Sequence, residues 1–177
     1  MDPTECTLRD RTPITLRQAA ASDGPGVWLL TRDQCEDGRG QVIEVDEIGT
    51  VEATTAKIAD FPGLWLLAVG GDGAILGSLE IRRLRPRRVA HNGLLSLGIH
   101  PAAQGLGLGR AMTERALAWA DAAGLAAIEL FMRADNERAR ALYRSVGFEV
   151  MWIRERFIRL PDGAAVDDVV MRREAPG

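Results

Sequence analysis

The chain has 177 residues, a formal net charge of −3, 46% hydrophobic residues and 27% charged residues. The length suits one domain over residues 1–177 with a core that needs neither disulfides nor metal. The charged fraction is that of an ordinary folded protein and excludes a disordered chain. No apolar run approaches the roughly 18 residues of a membrane span. The opening MDPTECTLRD has no apolar stretch of the secretory kind. The mild acidic balance speaks against nucleic-acid binding by phosphate neutralisation. Cys6 and Cys35 are too few for a disulfide framework, so a reducing, cytoplasmic setting is expected.

In chain order, residues 1–12 are polar and expected to fray. Ile14 to Arg17 alternates as a strand, and Ser22, with Asp23 behind it, is a candidate helix cap before Val27–Leu30. Residues 36–50 read as a loop and Val51–Asp60 as a short helix. Leu64–Val69 is a continuous apolar run, hence a buried strand. Gly70–Gly73 turns it into a second strand over Ala74–Leu84. Residues 85–92 form a loop, and Leu94–Ile99 a third apolar strand with Leu95, Leu97 and Ile99 on one face. A helix follows Gly109, with Leu108, Met112, Ala116, Trp119 and Ala123 on one stripe and Gly124 at its end. Ala127–Met132 is a strand. Asp135 or Asn136 caps a short helix with an Ala139, Leu142, Tyr143, Val146 face, ended by Gly147. Two closing strands flank Pro161–Asp162–Gly163. The fold class is therefore α/β on a mixed sheet.

The informative stretch runs from Leu97 through Gln104–Gly105–Leu106–Gly107–Leu108–Gly109–Arg110. A strand enters a glycine-rich turn that opens a helix, which presents backbone N–H groups and a positive dipole end to an anion such as phosphate. The spacing fails the dinucleotide pattern, because the third glycine position falls on Arg110 or Met112. It also lacks the Lys-Ser/Thr of a P-loop. A glycine-rich connection with no ligand is the plainer alternative.

The segment Gln104-x-x-Gly107-x-Gly109 resembles motif A of the GCN5-related N-acetyltransferases (GNAT). Asn136, Ala139, Leu142–Tyr143 and Gly147–Phe148 resemble the family's second motif, one helix and one strand later. The resemblance implies a mostly antiparallel mixed sheet with one splayed parallel strand pair, 94–99 and 127–132, and about four helices. It implies acetyl-CoA as acyl donor, with no metal. Pantetheine would add to the strand edge at Leu97, Gly98 and Ile99, with Gly98 as a candidate site for the bulge behind the splay. The pyrophosphate would meet the backbone from Gly105 through Leu106, Gly107, Leu108, Gly109 and Arg110 to Ala111. Gln104 would support that loop, and Asn136 would lie near the cofactor while capping its helix. Arg110 fits a solvated helix position equally well.

Acetyl transfer from a thioester to an amine needs a neutral amine, a donor to the carbonyl oxygen, here a strand N–H such as that of Ile99, and a proton for the thiolate. Tyr143, the only tyrosine, matches the family phenol for that last role; it also fits plain packing on its helix stripe. Some relatives carry a glutamate early on the strand before the loop. Here Asn92 to Gln104 holds no carboxylate. Glu80 is the best substitute base, with His91 and Glu129 behind it and a water chain as the alternative. Arg82, Arg83, Arg85, Arg87 and Arg88 read as a solvated edge, or as a contact for the cofactor's outer phosphate. The expected activity is N-acetylation of a primary amine on a small molecule or protein by direct transfer. A non-catalytic acyl-CoA sensor and a nucleotide-binding α/β protein are the competing readings. The acceptor-shaping segments, roughly 22–60 and 152–166, carry no diagnostic residues. The sheet edge and closing hairpin leave a homodimer open.

Overall fold

The computed structural model describes residues 1–38 and 41–176; of the loop expected over 36–50, two positions lie outside that range. The strands are β1 (Thr4–Thr7), β2 (Pro13–Gln18), β3 (Gly63–Gly70), β4 (Ile75–Arg83), β5 (Asn92–Ile99), β6 (Ala127–Arg133), β7 (Glu149–Arg159) and β8 (Ala165–Glu174). The helices are α1 (Gly24–Asp37), α2 (Val51–Ala59), α3 (Leu108–Ala122) and α4 (Glu137–Ser145). One eight-stranded sheet runs in the order β1-β2-β3-β4-β5-β6-β8-β7. Every neighbouring pair is antiparallel except β5 and β6.

The helices lie on both faces. On one, α3 and α4 cover the main core, in which Leu64, Leu66, Leu79, Ile81, Met112, Ala116 and Tyr143 meet. On the other, Val27 of α1 and Ile58 of α2 pack on Trp65 and Leu67. The unbroken apolar run of β3 follows from this burial on both faces. Helix ends match their chemistry. The Asn136 carboxamide oxygen accepts from the Ala139 N–H at 3.1 Å, and Gly124 and Gly147 follow α3 and α4 at φ 69° and 93°. Among the described residues no helix is long and apolar enough to cross a membrane.

Three local expectations are corrected. Residues 1–12 do not simply fray, because Thr4–Thr7 pairs with Pro13–Leu16 as an edge strand. The sequence hides this strand because its alternating pattern is short and polar. Ser22 does not cap α1. The Asp23 carboxylate instead takes the Ala20 N–H at 2.8 Å and both Arg17 guanidinium nitrogens at 2.7 Å. Gly98 hosts no bulge, since the β4–β5 ladder runs unbroken from Gly93 to Ile99.

Met112 is fully buried beneath the sheet, where a side chain on Gly77 of β4 would come within 2.6 Å of its sulfur. Met112→Ala is expected to cost about 2–5 kcal/mol. Denaturant unfolding should register this as a lower midpoint at unchanged slope.

Candidate functional site

The parallel ladder between β5 and β6 is short. Asn92, Gly93 and Leu94 pair with Ala127, Ile128 and Glu129, and no later residue of β5 pairs with β6. Beyond that point β5 stays on β4 and β6 stays on β8 up to Arg133 opposite Asp168. The His100 N–H donates to the Leu76 carbonyl and the Leu84 N–H to the Asn92 carbonyl. Strand alternation therefore turns the backbone groups of Leu95, Leu97 and Ile99 away from β4, toward the gap.

Two neighbouring cavities lie along the gap and share Gln34, Gln41, Leu97 and Gly98 in their linings. The first, about 470 Å³, is bounded by Ile99, Gln104, Asn136, Arg138, Ala139 and Tyr143. The second, about 410 Å³, lies beneath α1 and α2, over a floor of Trp65, Ser78, Glu80 and Ser96. Of the anticipated residues, Leu97, Gly98, Ile99, Gln104, Asn136 and Tyr143 line the first cavity and Glu80 the second. Gly105, Leu106, Gly107, Leu108, Gly109, Arg110 and Ala111 do not line either cavity. They form the turn after Gln104 and the first turn of α3, with Gly105 and Gly107 at φ 80° and 92°. Leu108 is sealed in the core, and Arg110 pairs with Glu114 at 2.9 Å on the solvent side. Gly109 lets α3 come close to α4 and β5, since a Cβ there would lie 3.2 Å from Leu142.

Polar ties hold the walls. The Gln104 amide donates to the Ile99 carbonyl at 3.3 Å and accepts from Arg138 at 3.1 Å, linking β5 to α4. Arg133 of β6 donates to the Gly38 and Gln41 carbonyls at 3.3 and 3.4 Å and pairs with Asp135, so it ties the segment after α1 across to β6. Gln34 lies flat over Gly98, where a Cβ would fall 2.4–2.8 Å from its carboxamide. Its Oε1 accepts from Gln41 at 3.0 Å, while its buried Nε2 has no hydrogen-bond partner among the described residues. Sequence reasoning missed Gln34, Gln41, Arg133 and Arg138. Arg138 alone carried a signal, since it stands inside the Asn136–Ala139 motif at a helix start.

The candidate bases separate. Glu80 faces the second cavity, held by Lys57 at 3.1 and 3.2 Å, with the Lys57 ammonium 4.7 Å from the Trp65 ring centroid. Glu129 is paired with Arg172 at 2.7 Å. His91 is exposed and precedes β5, at the strand end opposite Gln104. The arginine run joins β4 to β5 at that same far end, away from the glycine-rich turn. Among the described residues no group of three or more His, Cys, Asp or Glu side chains is placed to hold a metal.

Residues 28–148 match the model of the acetyltransferase (GNAT) family. The chain belongs to the GNAT family. It is 39% identical over 145 residues to a mycothiol acetyltransferase of Paenarthrobacter aurescens, a match covering 78% of this chain but only 43% of that protein. It is 28% identical over 166 residues to the N-alpha-acetyltransferase RimI of Mycobacterium tuberculosis, covering 94% of this chain and 96% of the relative. A GNAT acetyltransferase from Streptococcus pneumoniae superposes with a TM-score of 0.85 at 24% identity, over 91% of this chain and 99% of that one. The yncA protein of Salmonella typhimurium, solved with acetyl-CoA, superposes at 0.82 with 19% identity over 93% and 95%. The expected GNAT fold is thus the one observed, with its splayed parallel pair and four helices.

Tyr143 of this GNAT chain is buried, packs edge-on to Phe148 at 5.6 Å, and makes no side-chain hydrogen bond among the described residues. Burial pushes its phenol above the ordinary value of 10.0. The group therefore stays protonated across the physiological range. A raised folded-state value contributes stability that is fully present below pH 10.0 and lost as pH climbs past it, by about 1.4 kcal/mol per pH unit. In alkaline denaturant titrations, Tyr143→Phe is expected to lose stability less steeply above that pH than the wild type. Parallel curves for the two proteins would contradict the burial of an un-ionised phenol.

Proposed function

We propose that this chain is an acetyl-CoA-dependent N-acetyltransferase. It would move the acetyl group to a primary amine of a small molecule or a peptide by direct attack in a ternary complex. The observation that carries the reading is the pair of neighbouring cavities along the unpaired edge of β5, both lined by Leu97 and Gly98. One half of the gap suits the donor and the other the amine, so bound reactants would meet at Leu97 and Gly98, which line both.

The pantetheine arm, which resembles a peptide, adds to the free edge at Leu97, Gly98 and Ile99. Its pyrophosphate takes backbone N–H groups between Gly105 and Ala111, with Gln104 bracing the turn and Arg138 supplying charge from α4. Asn136 holds the start of α4 beside the arm. The amine nitrogen attacks the thioester carbonyl, whose developing oxyanion takes a strand N–H such as that of Ile99. The C–N bond forms, the C–S bond breaks, and the leaving thiolate takes a proton from the Tyr143 phenol. The proton released by the amine goes to Glu80 directly or through water. The Lys57 contact to Glu80 favours the water route, because the carboxylate is already engaged.

A non-catalytic acyl-CoA sensor is the second reading, favoured by the Lys57 ion pair that already engages Glu80 in the acceptor half. Turnover against a panel of amines separates the two. The names of the similar proteins, a mycothiol acetyltransferase and an N-alpha-acetyltransferase, support both a small-molecule and a protein amine as acceptor classes. The free cysteines fit a cytoplasmic setting.

Acetyl-CoA at one hundred times its Kd should stabilise the fold by about 2.7 kcal/mol, seen as a higher melting midpoint that NADH does not produce. Gly107→Val should abolish most of that shift, since its φ of 92° and open backbone suit glycine alone. An unchanged shift in that variant would sink the assignment of the turn. Tyr143→Phe should lower turnover by about 10²-fold or more while leaving acetyl-CoA affinity near the wild-type value. Equal losses in both would reduce Tyr143 to packing.

A further inference from the structure

Lys57 is the only lysine in the chain. It stands in the last turn of α2, and its side chain, 53% exposed, lines the second cavity together with Trp65, Glu80, Leu97 and Gly98. Its Nζ donates to Glu80 Oε1 and Oε2 at 3.1 and 3.2 Å and lies 4.7 Å from the centroid of the Trp65 ring. A primary amine of the chain itself is thus seated on the one candidate base that faces this cavity. The fold does not depend on the contact. An ion pair this exposed adds little stability, and α2 is already fixed by Ile58, which is buried with Val27, Trp65 and Leu67.

The sheet register locates this amine relative to the free edge of β5. Trp65 pairs with Glu80, and Glu80 with Ser96. Two residues along, Leu67 pairs with Ser78, and Ser78 with Gly98. The Trp65 indole N–H donates to Ser78 Oγ at 2.8 Å, so the ring reaches from the Ser96 row toward the Gly98 row. Such rows lie roughly 7 Å apart along a strand. Lys57 Nζ, over that ring and beside Glu80, therefore stands about one row from Gly98, where the thioester would lie. A swing of the flexible four-carbon stem of lysine covers such a span. The other primary amine, at Met1, is on the opposite face of the sheet, where Arg115 of α3 donates to the Asp2 carbonyl at 3.0 Å.

We propose that Lys57 is a modification site, acetylated by its own chain from acetyl-CoA when no external amine is present. The inference rests on the acyl-transfer reading above. The Lys57 ammonium sheds one proton to solvent, and the neutral amine attacks the thioester carbonyl carbon. The N–C bond forms and the C–S bond breaks. Glu80, already within hydrogen-bond distance of Nζ, takes the second proton, and the leaving thiolate takes one from the Tyr143 phenol. Glu80 and Tyr143 then regain their starting states by exchange with solvent. The products are Nε-acetyl-Lys57, coenzyme A as the thiol and one released proton. The tether supplies the proximity that an external amine must gain by binding. Acetylation also removes the charge that engages Glu80.

The test incubates the full chain with acetyl-CoA and no added amine, and follows it by intact mass and tryptic mapping. One added acetyl group is expected, with trypsin no longer cutting after Lys57, at a first-order rate that does not change with protein concentration. Excess desulfo-coenzyme A should suppress the modification, and Lys57→Arg should abolish it. Glu80→Gln should slow it by about 10²-fold while the rise in melting midpoint with acetyl-CoA persists. If acetyl-CoA raises the midpoint but Lys57 stays unmodified, this inference alone is overturned. With neither a shift nor an adduct, the acyl-transfer reading goes with it. Acetylation that desulfo-coenzyme A does not suppress, that proceeds equally in Glu80→Gln, that speeds up with protein concentration, or that falls on Met1 in place of Lys57 overturns the inference as well.

Discussion

The rest of the structure depends on the parting of β5 from β6. Three residue pairs join the two strands, and then each follows its antiparallel partner, β4 on one side and β8 on the other. Antiparallel ladders on both flanks hold the strands straight while the space between them opens. The cost is a row of backbone groups on β5, at Leu97 and Ile99, left without a sheet partner. Buried or half-buried backbone groups are paired almost without exception in folded proteins, so this edge is built to be completed by something else.

Side chains from three elements keep the opening in shape. Gln34 of α1 presses on the bare Cα of Gly98, Tyr143 and Ala139 of α4 form the opposite wall, and Gln104 ties the end of β5 to Arg138. Arg133 joins β6 to the segment after α1. The donors from Arg133 and Arg138 are charged, while the Gln104 amide is a neutral donor to the Ile99 carbonyl. The electrostatics of the two halves differ. The first has arginines at its rim, the second the Lys57–Glu80 pair over an aromatic floor.

The two sheet edges are treated differently. β1 is four residues long and polar, which blunts it. β7 is long, and Val150, Met151, Trp152 and Ile153 of its first half are exposed. Arg154 stacks on Phe131 and Phe157 at 4.9 and 3.9 Å and pairs with the buried Asp168, so the strand is ordered although it is exposed. The closing hairpin is therefore a firm part of the sheet with an unfinished outer side.

The sequence by itself determined the elements whose signals are local. The apolar run of β3, the glycine-rich turn, the stripe of α3 and the cap of α4 at Asn136 all depend on residues within a few positions of one another, and each was legible. The two motifs, read together, were enough to imply the family and its fold. What only the tertiary structure decided involves partners far apart in the chain. β1 exists because β2 offers it an edge, and its four residues carry too little pattern to announce themselves. Gln34, Gln41 and Arg133 reach the cleft from segments with no motif, because a lining position is set by packing and not by spacing. Among three candidate bases of similar chemistry, only Glu80 faces the cleft, since strand order carried His91 to the far end of β5 and Arg172 claimed Glu129. Local chemistry fixes what a segment becomes; which segments meet, and so which side chains share a cavity, is decided by the sheet order that buries the most apolar surface.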